Sequence, residues 1–182
     1  MDKELVDRLV DEAKTLAAET ESARETMMAA SRRRQEAILG LKAAGLSVRA
    51  IATRLGSSPS VVQDALRTAI ARHPATNRRE ERFPYELHVL LAAKLHQDPG
   101  HLLDLALENI SRMRATPRAP IAERWLNRWE AILKLPVVEI EEAMLKDDDE
   151  GRDMRQISPF AGALDRNERM IAMKKAQLLA QG

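Results

Sequence analysis

Between Gly45 and Leu66 the sequence reads GLSVRAIATRLGSSPSVVQDAL, and the residues at its breaks leave the backbone few choices. Gly45 supplies a left-handed residue where a helix ends, and Leu46 provides the apolar contact that accompanies such a stop. Ser47 is an N-cap for a new helix over about Val48–Leu55, with Ile51 and Leu55 on one face. Gly56 ends that helix. Ser58 caps the next, and Pro59 occupies its first turn, where a missing N–H costs nothing. Val62 and Leu66 face inward on this third helix, which runs to about Arg72. The two stop-and-cap breaks make the third helix cross the second steeply and leave one of its faces outward.

What lies upstream is a stretch without glycine or proline. Residues 2–36 are expected to form one helix, with Leu5, Leu9, Ala13, Leu16, Ala23, Met27 and Ala30 close to helical spacing. This stripe is either packed on its own domain or paired in a dimer. Residues 35–44 continue or restart a helix through Ile38 and Leu41. Ala, Leu, Arg and Glu dominate the whole chain, aromatics are only 3%, and long Val/Ile/Thr alternation is absent. The fold class expected is all-α, with cores of Leu, Ile, Val, Met and Ala.

Downstream, residues 73–83, HPATNRREERF, read as a polar linker. Pro84 is expected to start a helix carrying Leu87, Leu90, Leu91 and Leu95. DPG at 98–100 makes a turn and cap before a helix that buries Leu102, Leu103, Ala106, Ile110 and Met113. TPRAP at 116–120 breaks the chain again. Ile121, Trp125, Trp129 and Ile132 line one face of the next helix, and Val137, Ile140 and Met144 mark another. Asp147 with Glu150, and Asp165 with Glu168, have capping-box spacing. The last helix runs to about Ala180. The division expected is therefore 1–36 as an N-terminal helix and candidate dimerisation element, and 37–72 as a three-helix unit. A linker follows at 73–83, then a separate C-terminal helical domain for interaction or regulation at 84–182.

Charge is unevenly spread over these segments. The chain carries a net charge of only +1, yet residues 37–82 hold eight Lys or Arg against three Asp or Glu, while the segments on either side are each −2. Such a local excess suits phosphate binding.

Gly45, Ser47, Arg49, Ile51, Ala52, Leu55, Gly56, Ser58, Ser60, Val62 and Leu66 together resemble the G-x-S-x-x-x-I-A-x-x-L-G-x-S-x-S-x-V-x-x-x-L pattern of resolvase/invertase DNA-binding domains and many bacterial helix-turn-helix regulators. The similarity covers about residues 35–72. In the C-terminal half, Trp125, Trp129, Arg155, Gln156, Ser158, Pro159, Phe160, Ala161, Gly162, Leu164, Glu168 and Arg169 resemble a segment of actinobacterial helix-turn-helix regulators, some of them encoded beside toxin genes. These resemblances imply a DNA-binding regulator.

Little else in the sequence points to chemistry. Without cysteine there is no thiolate catalysis, disulfide or Cys-based zinc site. His88, His96 and His101 are badly spaced for a shared metal. DDDEGRD at 147–153 misses the EF-hand spacing, because Gly151 comes one residue early, and reads instead as an acidic helix start. There is no phosphate loop and no G-x-S-x-G. Ser158 before Pro159 reads as a turn, and Trp125 with Trp129 as core, the alternative being that one of them docks a partner. No catalytic residue, metal or cofactor is expected. No apolar run approaches the ~18 residues of a membrane span. The acidic, amphipathic N-terminus does not resemble a signal peptide. A cytoplasmic protein is expected, nucleoid-associated when bound to DNA.

The function expected is sequence-specific binding of double-stranded DNA by a transcriptional regulator, a repressor acting by operator occupancy. Ser58, Ser60, Val61, Gln63 and Arg67 are the candidates for base contact, and Arg33, Arg49 and Arg54 for phosphate contact. Asp64 counts against this face unless it pairs with Arg67 or accepts from cytosine. The protein is expected to be a homodimer, joined through the N-terminal stripe or the C-terminal unit. Two alternatives stand beside this reading. One is an antitoxin-like protein that neutralises a partner through its C-terminal domain and autoregulates. The other is a plasmid or phage replication or partition accessory protein.

Overall fold

In the computed structural model, which describes residues 3–73, 79–116 and 120–180, Gly45 and Gly56 both adopt positive φ, +101° and +60°. Each closes a helix in the same way. Leu46 N–H reaches Leu41 O at 3.2 Å and Gly45 N–H reaches Lys42 O at 3.0 Å; Ser57 N–H reaches Ala52 O at 3.0 Å and Gly56 N–H reaches Thr53 O at 3.3 Å. This is the Schellman pairing, and it needs a residue without a Cβ penalty at the left-handed position. A Cβ at either glycine would meet nothing within 4 Å, so φ alone makes the demand.

The described residues form helices and no strands, so the fold is all-α. Helix α1 (Lys3–Ala43) is unbroken through the region where a restart was one option. It is followed by α2 (Val48–Leu55) and α3 (Pro59–Arg72). Ser47 Oγ accepts from Ala50 N–H, and Ser58 Oγ from Val61 N–H. Then come α4 (Arg79–Gln97), α5 (Pro99–Arg114), α6 (Pro120–Ile132), α7 (Val137–Met144), α8 (Asp149–Gln156) and α9 (Arg166–Leu179). Residues 79–83 of the expected linker are helical, the first turns of α4, while its residues 74–78 and 117–119 of TPRAP lie outside the described residues.

Four local expectations are corrected. Pro84 does not start α4; the helix begins at Arg79 and the proline sits inside it. The proline forfeits one ladder bond, but Arg82 before it and Tyr85 and Glu86 after it are all held in the interior in one helical register. Asp148, not Asp147, caps α8, accepting from Gly151 N–H at 2.8 Å. Gly151 is required there, because a Cβ would lie 2.2 Å from Lys146 O. Leu55 and Ile121 are exposed, at 44% and 52%, since each stands at a helix end and overhangs the core its neighbours fill. The Asp165–Glu168 capping box forms with both of its hydrogen bonds.

Two apolar clusters result. One joins Ile38 and Leu39 of α1 to Ile51, Ala52, Val62, Ala65, Leu66 and Ala69. The other is built by α4–α8 around Leu95, Leu126, Trp129, Ile140 and Met144. Trp125 and Trp129 are both core, and Trp129 donates from Nε1 to Met154 O at 3.0 Å. Helix α9 returns along α4 and α1 and lays Leu178 and Leu179 against the first cluster. The three-helix unit is thereby closed by a segment from the far end of the chain.

Candidate nucleic-acid interface

The buried positions of α3 are Val62, Ala65, Leu66 and Ala69, so its other face is left to solvent. On that face the structure brings together all five base-contact candidates: Ser58, Ser60, Val61 and Gln63 are exposed at or near the helix start, and Arg67 is exposed just past its middle. Their chemistry is not uniform. Ser58 is engaged in capping and lies 2.8 Å from Ser60 through the hydroxyl oxygens. Val61 presents an exposed methyl pair. Arg67 is paired with Asp64 on the same face, and both side chains are exposed. Gln63 is exposed.

Arg49 and Arg54 are exposed on α2 and make no ion pair with a described residue. Arg33 is placed elsewhere. It lines a cleft with Arg72 and His73, at the other end of α3. At 1.5 Å rise per residue, Arg72 is about 20 Å from Pro59.

Sequence reasoning missed what lies behind this unit. Glu36 of α1, His73 at the end of α3, Glu86 of α4 and Lys175 of α9 meet in the interior. His73 Nε2 is 3.1 Å from Glu36 Oε2, and Lys175 Nζ is 2.7 Å from the same oxygen. Glu86 lies 2.7 Å from His73 Nδ1 and 3.0 Å from Lys175 Nζ, at ion-pair distance though off the hydrogen-bonding direction. Lys175 and Glu86 are fully buried. Burial works against the charged forms, but His73 and Lys175 together hold the Glu36 carboxyl at about 2. Burial likewise opposes protonation of His73, and the two carboxylates overcome it and raise its pKa. Tyr85 beside them is pushed up to about 12 by burial and by Glu86. A signal for burial was present in the sequence: Lys175 falls at helical spacing with Ala172 and Leu178, and Glu86 with Phe83 and Val89, so each charge sits in an apolar stripe.

The C-terminal histidines are satisfied separately. His88 Nδ1–H donates to Pro84 O at 2.8 Å, and its Nε2 accepts from Ser158 Oγ at 3.0 Å. The ring stacks on Trp129, with centroids 6.1 Å apart. Burial lowers its pKa to about 4, so it is neutral and a weak base, poorly matched to activating Ser158 at neutral pH. His96 meets Glu141 at 2.6 Å, and His101 is exposed. Among the described residues no group of His, Asp or Glu is arranged to hold a metal, and no helix is long and apolar enough to cross a membrane.

What the geometry defines is a capped helix–turn–helix unit with an outward, polar second helix, locked at its rear to a larger helical body. No family model, curated protein or solved structure matches the chain.

Proposed function

We propose that this protein is a sequence-specific DNA-binding regulator that acts by occupying an operator as a homodimer. One observation carries the proposal. The capped turn between α2 and α3 leaves Ser60, Val61, Gln63 and Arg67 exposed on the outer face of α3, with Arg49 and Arg54 exposed on α2. A helix so presented has the shape and hydrogen-bonding groups to enter a major groove. Gln63 suits adenine, Arg67 suits guanine once it leaves Asp64, and the Val61 methyls suit thymine. Arg49 and Arg54 serve as phosphate anchors, which position the helix without reading sequence. The dimer uses α1, whose stripe of Leu5, Leu9, Leu16 and Met27 is more than half exposed and is not covered by its own domain.

Selection of bound fragments from random duplex DNA tests the proposal. A palindrome with half-sites ~34–36 Å apart is the expected result. On that site, Gln63→Ala and Arg67→Ala should each cost ~1–3 kcal/mol and relax preference at one position. Arg49→Ala and Arg54→Ala should weaken all duplexes alike and reduce the log–log salt slope by ~0.9 each. Recovery of no common sequence, with salt slopes untouched by all four changes, would overturn the reading.

A further inference from the structure

We infer that the cleft between the helix–turn–helix unit and the C-terminal body is a binding site for a small organic anion with an apolar body. The cleft has a volume of about 380 Å³, within the range of roughly 300–1,000 Å³ usual for small-molecule sites. Its walls come from both units: α1 and the end of α3 on one side, α4 and α7 on the other. Val89, Ala93, Val138 and Leu145 supply an apolar surface.

The charges at the cleft favour an anion. Arg32 and Arg33 line it and make no ion pair with any described residue. Of the three carboxylates there, Glu36 is held by His73 and Lys175. That leaves Glu141 and the exposed Glu142 against the guanidiniums of Arg32, Arg33 and Arg72, so cations outnumber carboxylates in the cleft. A planar guanidinium binds a carboxylate or sulfonate through two parallel hydrogen bonds. The ligand class is therefore an amphipathic acid, its head on Arg32 and Arg33 and its body on Val89 and Ala93.

The site's position gives such a ligand a consequence. Arg72 and His73 line the cleft and terminate α3, so an occupant touches the rear of the helix proposed to read DNA. An acid that binds one setting of α3 against α4 better than another shifts that equilibrium by its differential affinity. This effector role rests on the DNA-binding reading; the binding site does not.

The test uses the full chain and 1-anilinonaphthalene-8-sulfonate, a fluorescent aromatic sulfonate. One dye per chain should bind, octanoate should displace it, and octylammonium at equal ionic strength should not. Replacing both arginines, Arg32→Gln with Arg33→Gln, should weaken the dye at least tenfold. Ala93→Leu, which fills the cleft from an apolar wall, should also weaken it, with circular dichroism unchanged in both variants. Dye binding that survives both variants, or displacement by octylammonium as readily as by octanoate, would overturn the site, as would absence of dye binding. No step of this assay involves DNA, so failure of the DNA-binding reading leaves its outcome intact.

Discussion

Within helix α1, residues 33–43 bury Ile38 and Leu39 against α2 and α3 and place Glu36 among the buried charges. Residues 3–32 of the same helix leave Leu5, Leu9, Leu16 and Met27 between 53% and 63% exposed. Both halves carry apolar side chains at helical spacing. The difference is in what arrives to cover them. The later half receives α3 from nearby in sequence and α9 from the far end of the chain. The earlier part receives no apolar partner among the described residues and keeps local support, such as the Arg24–Glu21 bridge at 2.6 Å. A stripe therefore declares that a helix has an apolar face, while the identity of its partner is decided by chain topology.

The largest effect separating the halves should come from Lys175→Ala. The substitution leaves Glu36 and Glu86 close together in the interior with one cation fewer, and breaking a buried pair from one side costs about 3–5 kcal/mol. Lys14→Ala, which removes an exposed bridge to Asp11 at 3.7 Å, should change stability by less than about 1 kcal/mol. Denaturant unfolding of both variants checks this, and equal losses would erase the distinction drawn between the halves. The same contrast holds for apolar side chains. Leu39→Ala should cost about 2–5 kcal/mol, because Leu39 is fully buried. Leu9→Ala should stay within about 0.5 kcal/mol at concentrations where the chain is monomeric.

A pH titration sharpens the comparison by separating the charges that hold residues 33–43 from the core behind them. His88 has a folded value of about 4, below its ordinary 6.5. Its contribution is present above 6.5 and is lost as pH falls towards 4, by up to roughly 3 kcal/mol. His73 has the opposite sign. Its folded value is raised, so its contribution is complete below 6.5 and is lost as pH rises through the raised value. Glu36, at about 2 against an ordinary 4.5, loses its contribution only as pH falls from 4.5 towards 2. Between pH 6.5 and 4.5 the decline should therefore belong to His88, and His88→Gln should flatten it. Above 6.5 the decline should belong to His73, and His73→Gln should flatten that one. An acid limb unchanged by His88→Gln would contradict the neutral, buried imidazole.

How much of this was legible in the sequence depends on how far apart the deciding residues lie. The limits of α2 and α3 could be read because Gly45, Ser47, Gly56, Ser58 and Pro59 act within a few residues of the helix ends they set. The outward face of α3 followed from the spacing of Val62 and Leu66, and with it the grouping of Ser60, Val61, Gln63 and Arg67. The cap of α8 could not be read to the residue, because three consecutive aspartates offer the same chemistry and only the close approach of Gly151 to Lys146 O selects Asp148. That Lys175 and Glu86 are buried could be read from their apolar neighbours, but which charges they meet could not. Glu36 and Lys175 are 139 residues apart, and nothing local to either says that they meet. Charge and nearness in sequence put Arg33 with Arg49 and Arg54, whereas its place in the cleft depends on α4 and α7.

The smallest expected change in monomer stability comes from the largest deletion, and it bears most directly on the bare half of α1. A chain beginning at Ser31 keeps Ile38, Leu39, Glu36 and all their partners. It loses residues that join neither apolar cluster of the described residues. If the stripe of Leu5, Leu9, Leu16 and Met27 meets its equal in a second copy, the full chain should sediment as a dimer at micromolar concentration and the shortened chain as a monomer. Mass action adds a second signature. A dimer that must dissociate before unfolding has a melting temperature that rises with protein concentration. That dependence should appear in the full chain and vanish in the shortened one, while the two converge at the lowest concentrations. On DNA, the shortened chain should bind single half-sites without preference for their spacing, since nothing then fixes the distance between two α3 helices. A shortened chain that still dimerises would move the interface to the C-terminal body. A full chain that remains monomeric on and off DNA would mean that residues 3–32 stand bare in solution as they do in the fold.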